Sequence, residues 1–154
     1  MKIIENVYIR TLLKFKNMIR ILLLLFFINL SFAQQTEKVD FIKCDALVLP
    51  NSSDKSISGT VTYEIKVKKP IDTIKIDAKN MEFSEVFING KAVNFKNSGK
   101  TLDLFEGFTK GKNKLIINFT AKPKQTLYFS GKDENLQIWT QGQGKYTSHW
   151  LPSF

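Results

Sequence analysis

The chain has 154 residues, a formal net charge of +9, 43% hydrophobic residues, one cysteine and one histidine. That length suggests a single domain, by the usual range of about 100–200 residues. One cysteine excludes an internal disulfide framework, and Cys44 with His149 falls short of the three protein ligands that a catalytic zinc site needs, so no metal is expected within this chain.

The N-terminal stretch differs from the rest. Met18-Ile19-Arg20 leads into the apolar run Ile21–Ile28, then Asn29-Leu30-Ser31-Phe32-Ala33. A basic start, a short apolar core and a small-x-small end make a secretory signal cleaved after Ala33. The run is too short to span a bilayer, which takes about 20 residues, so an exported product without a stable membrane span is expected. A signal beginning at Met18 is complete without Met1–Asn17, which makes Met18 the expected true start and 34–154 the mature domain. Residues 1–33 hold five basic residues and one Glu, so +4 of the charge belongs to them and +5 to the remainder. No arginine follows Arg20 and the lysines are dispersed; bidentate phosphate recognition is poorly served and no nucleic-acid partner is expected.

From Val39 onward the pattern is that of strands. A β-prone segment with Phe41, Leu47, Val48 and Leu49 stops at Pro50-Asn51-Ser52-Ser53-Asp54, a strong turn signal. Ile57, Gly59, Val61, Tyr63, Ile65 and Val67 alternate with polar residues, the period of a half-buried antiparallel strand. Ile71 to Ala78 gives a short strand, and Phe83–Ile88 runs into Asn89-Gly90, a hairpin signal, with Ala92–Phe95 on the return. After the turn Asn97–Lys100 come a strand at Leu102–Phe105, a polar connection over Gly107–Asn113, and a well-buried strand at Leu115–Ala121. Leu136–Thr140 is the last strand before a glycine-spaced loop. About eight short strands at this spacing predict an all-β, antiparallel β-sandwich, and no helical amphipathic stretch appears after the signal. Cys44 is expected as a small buried strand residue, and His149 as a packing residue beside Trp150.

No residue set for catalysis is present. H-E-x-x-H is impossible with one histidine, and a Ser-His-Asp triad would have to use His149 within the last six residues. Gly142-x-Gly144 has no helix after it, so its glycines mark a turn and not a phosphate loop.

The informative segment is Leu136 to Phe154, which contains Thr140-Gln141-Gly142-Gln143-Gly144 and then Trp150-Leu151-Pro152-Ser153-Phe154. It resembles the N-terminal domain of the aminopeptidase N and leukotriene hydrolase family of zinc aminopeptidases. There a strand ends in Thr/Ser-Gln-x-Glu/Gln-Gly/Ala, followed by an aromatic-Pro-Cys-Phe-Asp stretch. Ser153 stands where Cys is common, and the chain stops where the family's Asp would come. The resemblance covers about residues 37–154, with its discriminating motifs in the final segment.

The resemblance implies a saddle-like β-sandwich, incomplete here, that packs on a zinc-bearing catalytic domain and lends a loop to its active site. By the motif, Gln143 would hold the free α-amino group of a peptide substrate and Gln141 would line the pocket for the first side chain. An ammonium group calls for an oxygen acceptor, and a charged one binds it more strongly; a neutral Gln143 would rely on other carboxylates. Zinc, its ligands, the general base and the oxyanion-stabilising group would all belong to the missing catalytic domain, so the chain alone is expected to be inactive. Two other readings stay open. One is a stand-alone secreted module binding carbohydrate or protein through Trp139, Tyr146 and Trp150. The other is a purely structural or adhesion-type sandwich.

Overall fold

The computed structural model of the protein describes residues 34–141 and 144–154. The leader expected over 1–33, with its alternative start at Met18, lies outside the described residues. Glu37–Phe154 forms one compact unit.

In chain order, a one-turn helix at Gln34–Lys38 is followed by β1 (Val39–Asn51), β2 (Ser56–Val67), β3 (Ile74–Asp77), β4 (Met81–Ile88), β5 (Lys91–Ala92), β6 (Phe95–Asn97), β7 (Thr101–Leu104), β8 (Gly111–Ala121), β9 (Leu127–Ser130) and β10 (Gln137–Thr140). Short 3-10 turns lie at Asp133–Asn135 and Gly144–His149. These helical segments are brief, and none is an amphipathic element that periodicity would reveal.

The strands form three antiparallel sheets: five strands in the order β1-β2-β8-β4-β5, three in the order β3-β7-β6, and the two-stranded ribbon β9–β10. The first two share one apolar core. Ile57, Val61, Ile65, Leu115, Ile117, Val86 and Ile88 come from the large sheet, and Ile74, Ile76, Leu102 and Leu104 from the small one. All eleven of these side chains are Ile, Leu or Val, and each contributes about 1.5–3 kcal/mol on leaving water. The result is the expected all-β antiparallel sandwich.

Two bulges break the alternation that the sequence pattern shows only partly. One in β4, between Phe83 and Glu85, shifts the phase so that Val86 and Ile88 face inward. The other lies in β1, between Phe41 and Lys43. Past it Cys44 stands beside Tyr63 and Ala46 beside Val61, on the core-facing side of the sheet. Cys44 is nonetheless exposed, a correction to its expected burial: among the described residues nothing covers this part of β1, whose residues from Ile42 to Leu47 are all exposed.

Two expected boundaries move. The return after Asn89-Gly90 splits: Lys91-Ala92 stays with β4, while Phe95–Asn97 crosses to the small sheet and pairs with β7. β8 begins at Gly111, not Leu115, because Asn113 is buried and organises the connection before it. Its amide donates to the carbonyls of Thr109 (2.7 Å) and Gly111 (3.0 Å), and its Oδ1 accepts from the Thr109 backbone (2.8 Å) and the Asn89 amide (2.9 Å). Asn89 and Gly90 both have positive φ, the conformation that a two-residue primed hairpin demands.

Candidate functional site

The loop after β10 and the segment behind it are held at both ends. On the ribbon side, β10 pairs with β9 from Gln137 to Thr140, and the backbone N–H of Gln141 extends the ladder to the Thr126 carbonyl at 2.8 Å. Thr126 is buried with φ of 70°, and its hydroxyl donates to the Tyr146 carbonyl at 3.1 Å. One residue thus ties the entry and the exit of the loop together. Gln141 itself is exposed. Gln143, the other residue expected to meet a substrate, lies outside the described residues.

On the far side, the chain is fastened to both sheets of the sandwich. The Ser148 carbonyl accepts from the Lys79 backbone N–H at 2.7 Å. Asp77 and Ser153 exchange a pair of backbone hydrogen bonds of 2.8 and 2.9 Å, adding a bridge at the end of β3. The Tyr63 hydroxyl, rising from β2, donates to the Pro152 carbonyl at 2.7 Å. Burial, and then the neighbouring Cys44, pushes the Tyr63 phenol above its ordinary range, so it remains a donor. Trp150 and Leu151 pack on the core, Pro152 is buried, and the Phe154 ring stacks on Phe41 with centroids 3.8 Å apart. The Trp-Leu-Pro-Ser-Phe motif therefore anchors the segment that follows the glutamine loop to the sandwich.

His149 lies beside this anchor. Its ring nitrogen Nε2 is 3.0 Å from the Gln125 amide and 3.4 Å from the Lys79 ammonium, with the Tyr146 ring 6.1 Å away. Partial burial, and then the Lys79 charge, holds its pKa below the usual histidine value. A neighbouring ammonium and an amide do not make a metal ligand set. Among the described residues no three His, Cys, Asp or Glu side chains are grouped to hold a metal ion. These residues do not fit zinc, and no step through a metal is assigned to them.

A groove of about 600 Å³ runs between β1 and the anchored end, with Phe41, Cys44, Tyr63, Thr147 and Phe154 in its walls. It does not include Gln141. The aromatic residues considered for a binding platform are dispersed in role. Trp139 stacks on Tyr128 of the ribbon at 4.4 Å, Tyr146 is exposed, and Trp150 is packed on the core with its indole N–H buried and unpartnered among the described residues. Trp150 therefore does not share an exposed face with the other two.

Motif reasoning pointed to Gln141 and to the Pro152 segment. It missed Thr126, Tyr63 and Asp77, which position them. No local pattern marks those three; their role comes from contacts across the chain, such as Tyr63 to Pro152.

Comparison with known proteins bears on this arrangement. The Peptidase M1 N-terminal domain model matches residues 42–154. Among solved structures, yeast LTA4 hydrolase in complex with bestatin aligns at a TM-score of 0.68 and 20% identity, over 77% of this chain and 21% of that one. An M1 zinc metallopeptidase from Deinococcus radiodurans, a mutant bound to a Tyr-Ser-Ala substrate, aligns at a TM-score of 0.59 and 15% identity, over 75% of this chain and 29% of that one. At these identities the likeness is one of fold, and the chain spans less than a third of either protein. No curated protein matches it.

Proposed function

Because the chain belongs to the Peptidase M1 N-terminal domain family, we propose that it is the substrate-side front portion of an exported zinc aminopeptidase, inactive in peptide hydrolysis by itself. The observation that carries this reading is the tethered glutamine loop. Gln141 continues the β9–β10 ladder, Thr126 joins the two ends of the loop, and the Pro152 segment is bonded to both sheets of the sandwich. Flanks held in this way lower the ordering cost of meeting a neighbouring domain.

In this reading residues 1–33 direct export and are removed. Gln143 accepts a hydrogen bond from the substrate α-ammonium, and Gln141 borders the pocket for the first side chain. Zinc, the water-activating base and the oxyanion-stabilising group come from a catalytic domain outside this sequence. The peptide-bound Deinococcus relative supports peptides as the substrate class.

The test is kinetic, in the polypeptide that joins this domain to its catalytic partner. Gln143→Ala raises KM for peptides with a free amino terminus by about tenfold, the scale of one hydrogen bond to a charged group. Gln143→Glu lowers KM, because a carboxylate binds ammonium more strongly than an amide does. Equal KM values for all three forms would remove Gln143 from the substrate site. The chain alone should release no product from aminoacyl arylamides, with or without added zinc.

A further inference from the structure

Among the described residues, Lys55, Asn80, Asn89, Thr126 and Asp133 have a positive φ without being glycine. Asn and Asp tolerate this left-handed region, whereas a β-branched side chain is an outlier there. Thr126 is the β-branched member of the group, has the largest φ of them at 70°, and is buried. It follows Pro123-Lys124-Gln125 and leads directly into β9 at Leu127. Strain of this kind persists only where the surroundings over-determine it, and it concentrates at functional positions.

Both the carbonyl and the hydroxyl of Thr126 serve the glutamine loop. The carbonyl accepts from the Gln141 N–H at 2.8 Å, and the hydroxyl donates to the Tyr146 carbonyl at 3.1 Å. Gln143 lies between those two tied residues in the sequence. Glycine would adopt this φ without cost, but it has no hydroxyl for the second tie. The neighbouring Gln125 reaches the same segment, with its amide 3.0 Å from His149 Nε2, and the Lys79 N–H holds the Ser148 carbonyl at 2.7 Å. Of these contacts, those of Thr126 alone touch both the entry and the exit of the loop.

We propose that Thr126 is a positioning residue for substrate binding: its carbonyl and hydroxyl fix the span from Gln141 to Tyr146, and so the placement of Gln143 against the α-ammonium of a peptide. This inference rests on the aminopeptidase reading above. The test uses the polypeptide that joins this domain to its catalytic partner. Thr126→Val keeps the shape and removes the hydroxyl. It should raise KM for peptides with a free amino terminus by about fivefold, the scale of one neutral hydrogen bond, with kcat nearly unchanged. Thr126→Ser keeps the hydroxyl and should restore the wild-type KM. Thr126→Gly adopts this φ freely and should match the valine variant, which keeps the test available where valine does not fold. In hydrogen exchange, the backbone amides of residues 141–147 should open about fivefold faster in the valine and glycine variants, and no faster in the serine variant. Combined with Gln143→Ala, Thr126→Val should raise KM by less than the product of the two single effects. Unchanged exchange in the valine and glycine variants, or a rise in KM that serine shares, would overturn the proposal. So would an unchanged KM in the Thr126 variants where Gln143→Ala raises it, or a combined effect equal to the product. If neither Gln143→Ala nor Thr126→Val moves KM, the aminopeptidase reading of the loop fails, and this assignment falls with it.

Discussion

At the scale of single residues, His149 shows how placement changes a side chain's behaviour. Burial and the Lys79 ammonium lower its pKa from the ordinary value of 6.5. A folded-state pKa below the unfolded one means that the unfolded chain binds the proton more readily. The neutral form carries no such penalty above the ordinary histidine range, and stability is lost as pH falls through 6.5 toward the folded value. Urea midpoints of the wild type should therefore drop between about pH 7.5 and pH 5 more than those of His149→Gln. Parallel profiles would show that burial and Lys79 leave the imidazole unaffected. His149 was legible in sequence only as a residue near Trp150; its partners, Lys79 and Gln125, are 70 and 24 positions away. Cys44 failed as a burial expectation for a related reason. Its strand and its core-facing side follow from β1, but whether anything covers that side depends on tertiary packing.

At the scale of elements, the period-2 pattern of β2 was readable because alternate residues from Val61 to Val67 are buried, and Leu115–Ala121 of β8 was readable as a strand from its apolar run. The start of β8 was not readable. Gly107–Asn113 looks like a loop in composition, yet buried Asn113 replaces the backbone partners that a connection would otherwise lack. Asn113→Ala should cost about 2–3 kcal/mol, since it strands several buried polar groups at once; a change under about 0.5 kcal/mol in chemical denaturation would mean that water substitutes freely. β2 has its own constraint at Gly59. It pairs with Val48 on one side and Phe119 on the other, and a Cβ there would run into the Leu47 carbonyl and come within 3.0 Å of the Phe119 ring. Gly59→Ala should destabilise by about 1–3 kcal/mol through this overpacking, in a thermal scan, whereas an unchanged or raised Tm would show that β1 can move aside. The β4 bulge and the crossing of Phe95–Asn97 to the small sheet likewise escape pattern reading. Each turns on one extra residue or on which neighbour a short strand finds.

At the scale of the whole molecule, the sandwich and the tethered loop fit together. The motif Trp150–Phe154 was legible as a family resemblance, and the structure supplies its mechanical role: Trp150 and Leu151 close the core while Ser153 bridges to β3. The role of Gln143 rests on the resemblance, with Gln141 placed by the ladder beside it.

The most direct test of the aminopeptidase reading is to sequence the coding DNA beyond the codon for Phe154. The account predicts an in-frame continuation in which the Pro152 motif is extended by an Asp, followed by a catalytic domain carrying H-E-x-x-H and a second Glu downstream. A stop codon directly after Phe154, with no such domain encoded beside it, would contradict the account and leave this sandwich to be explained as a module in its own right.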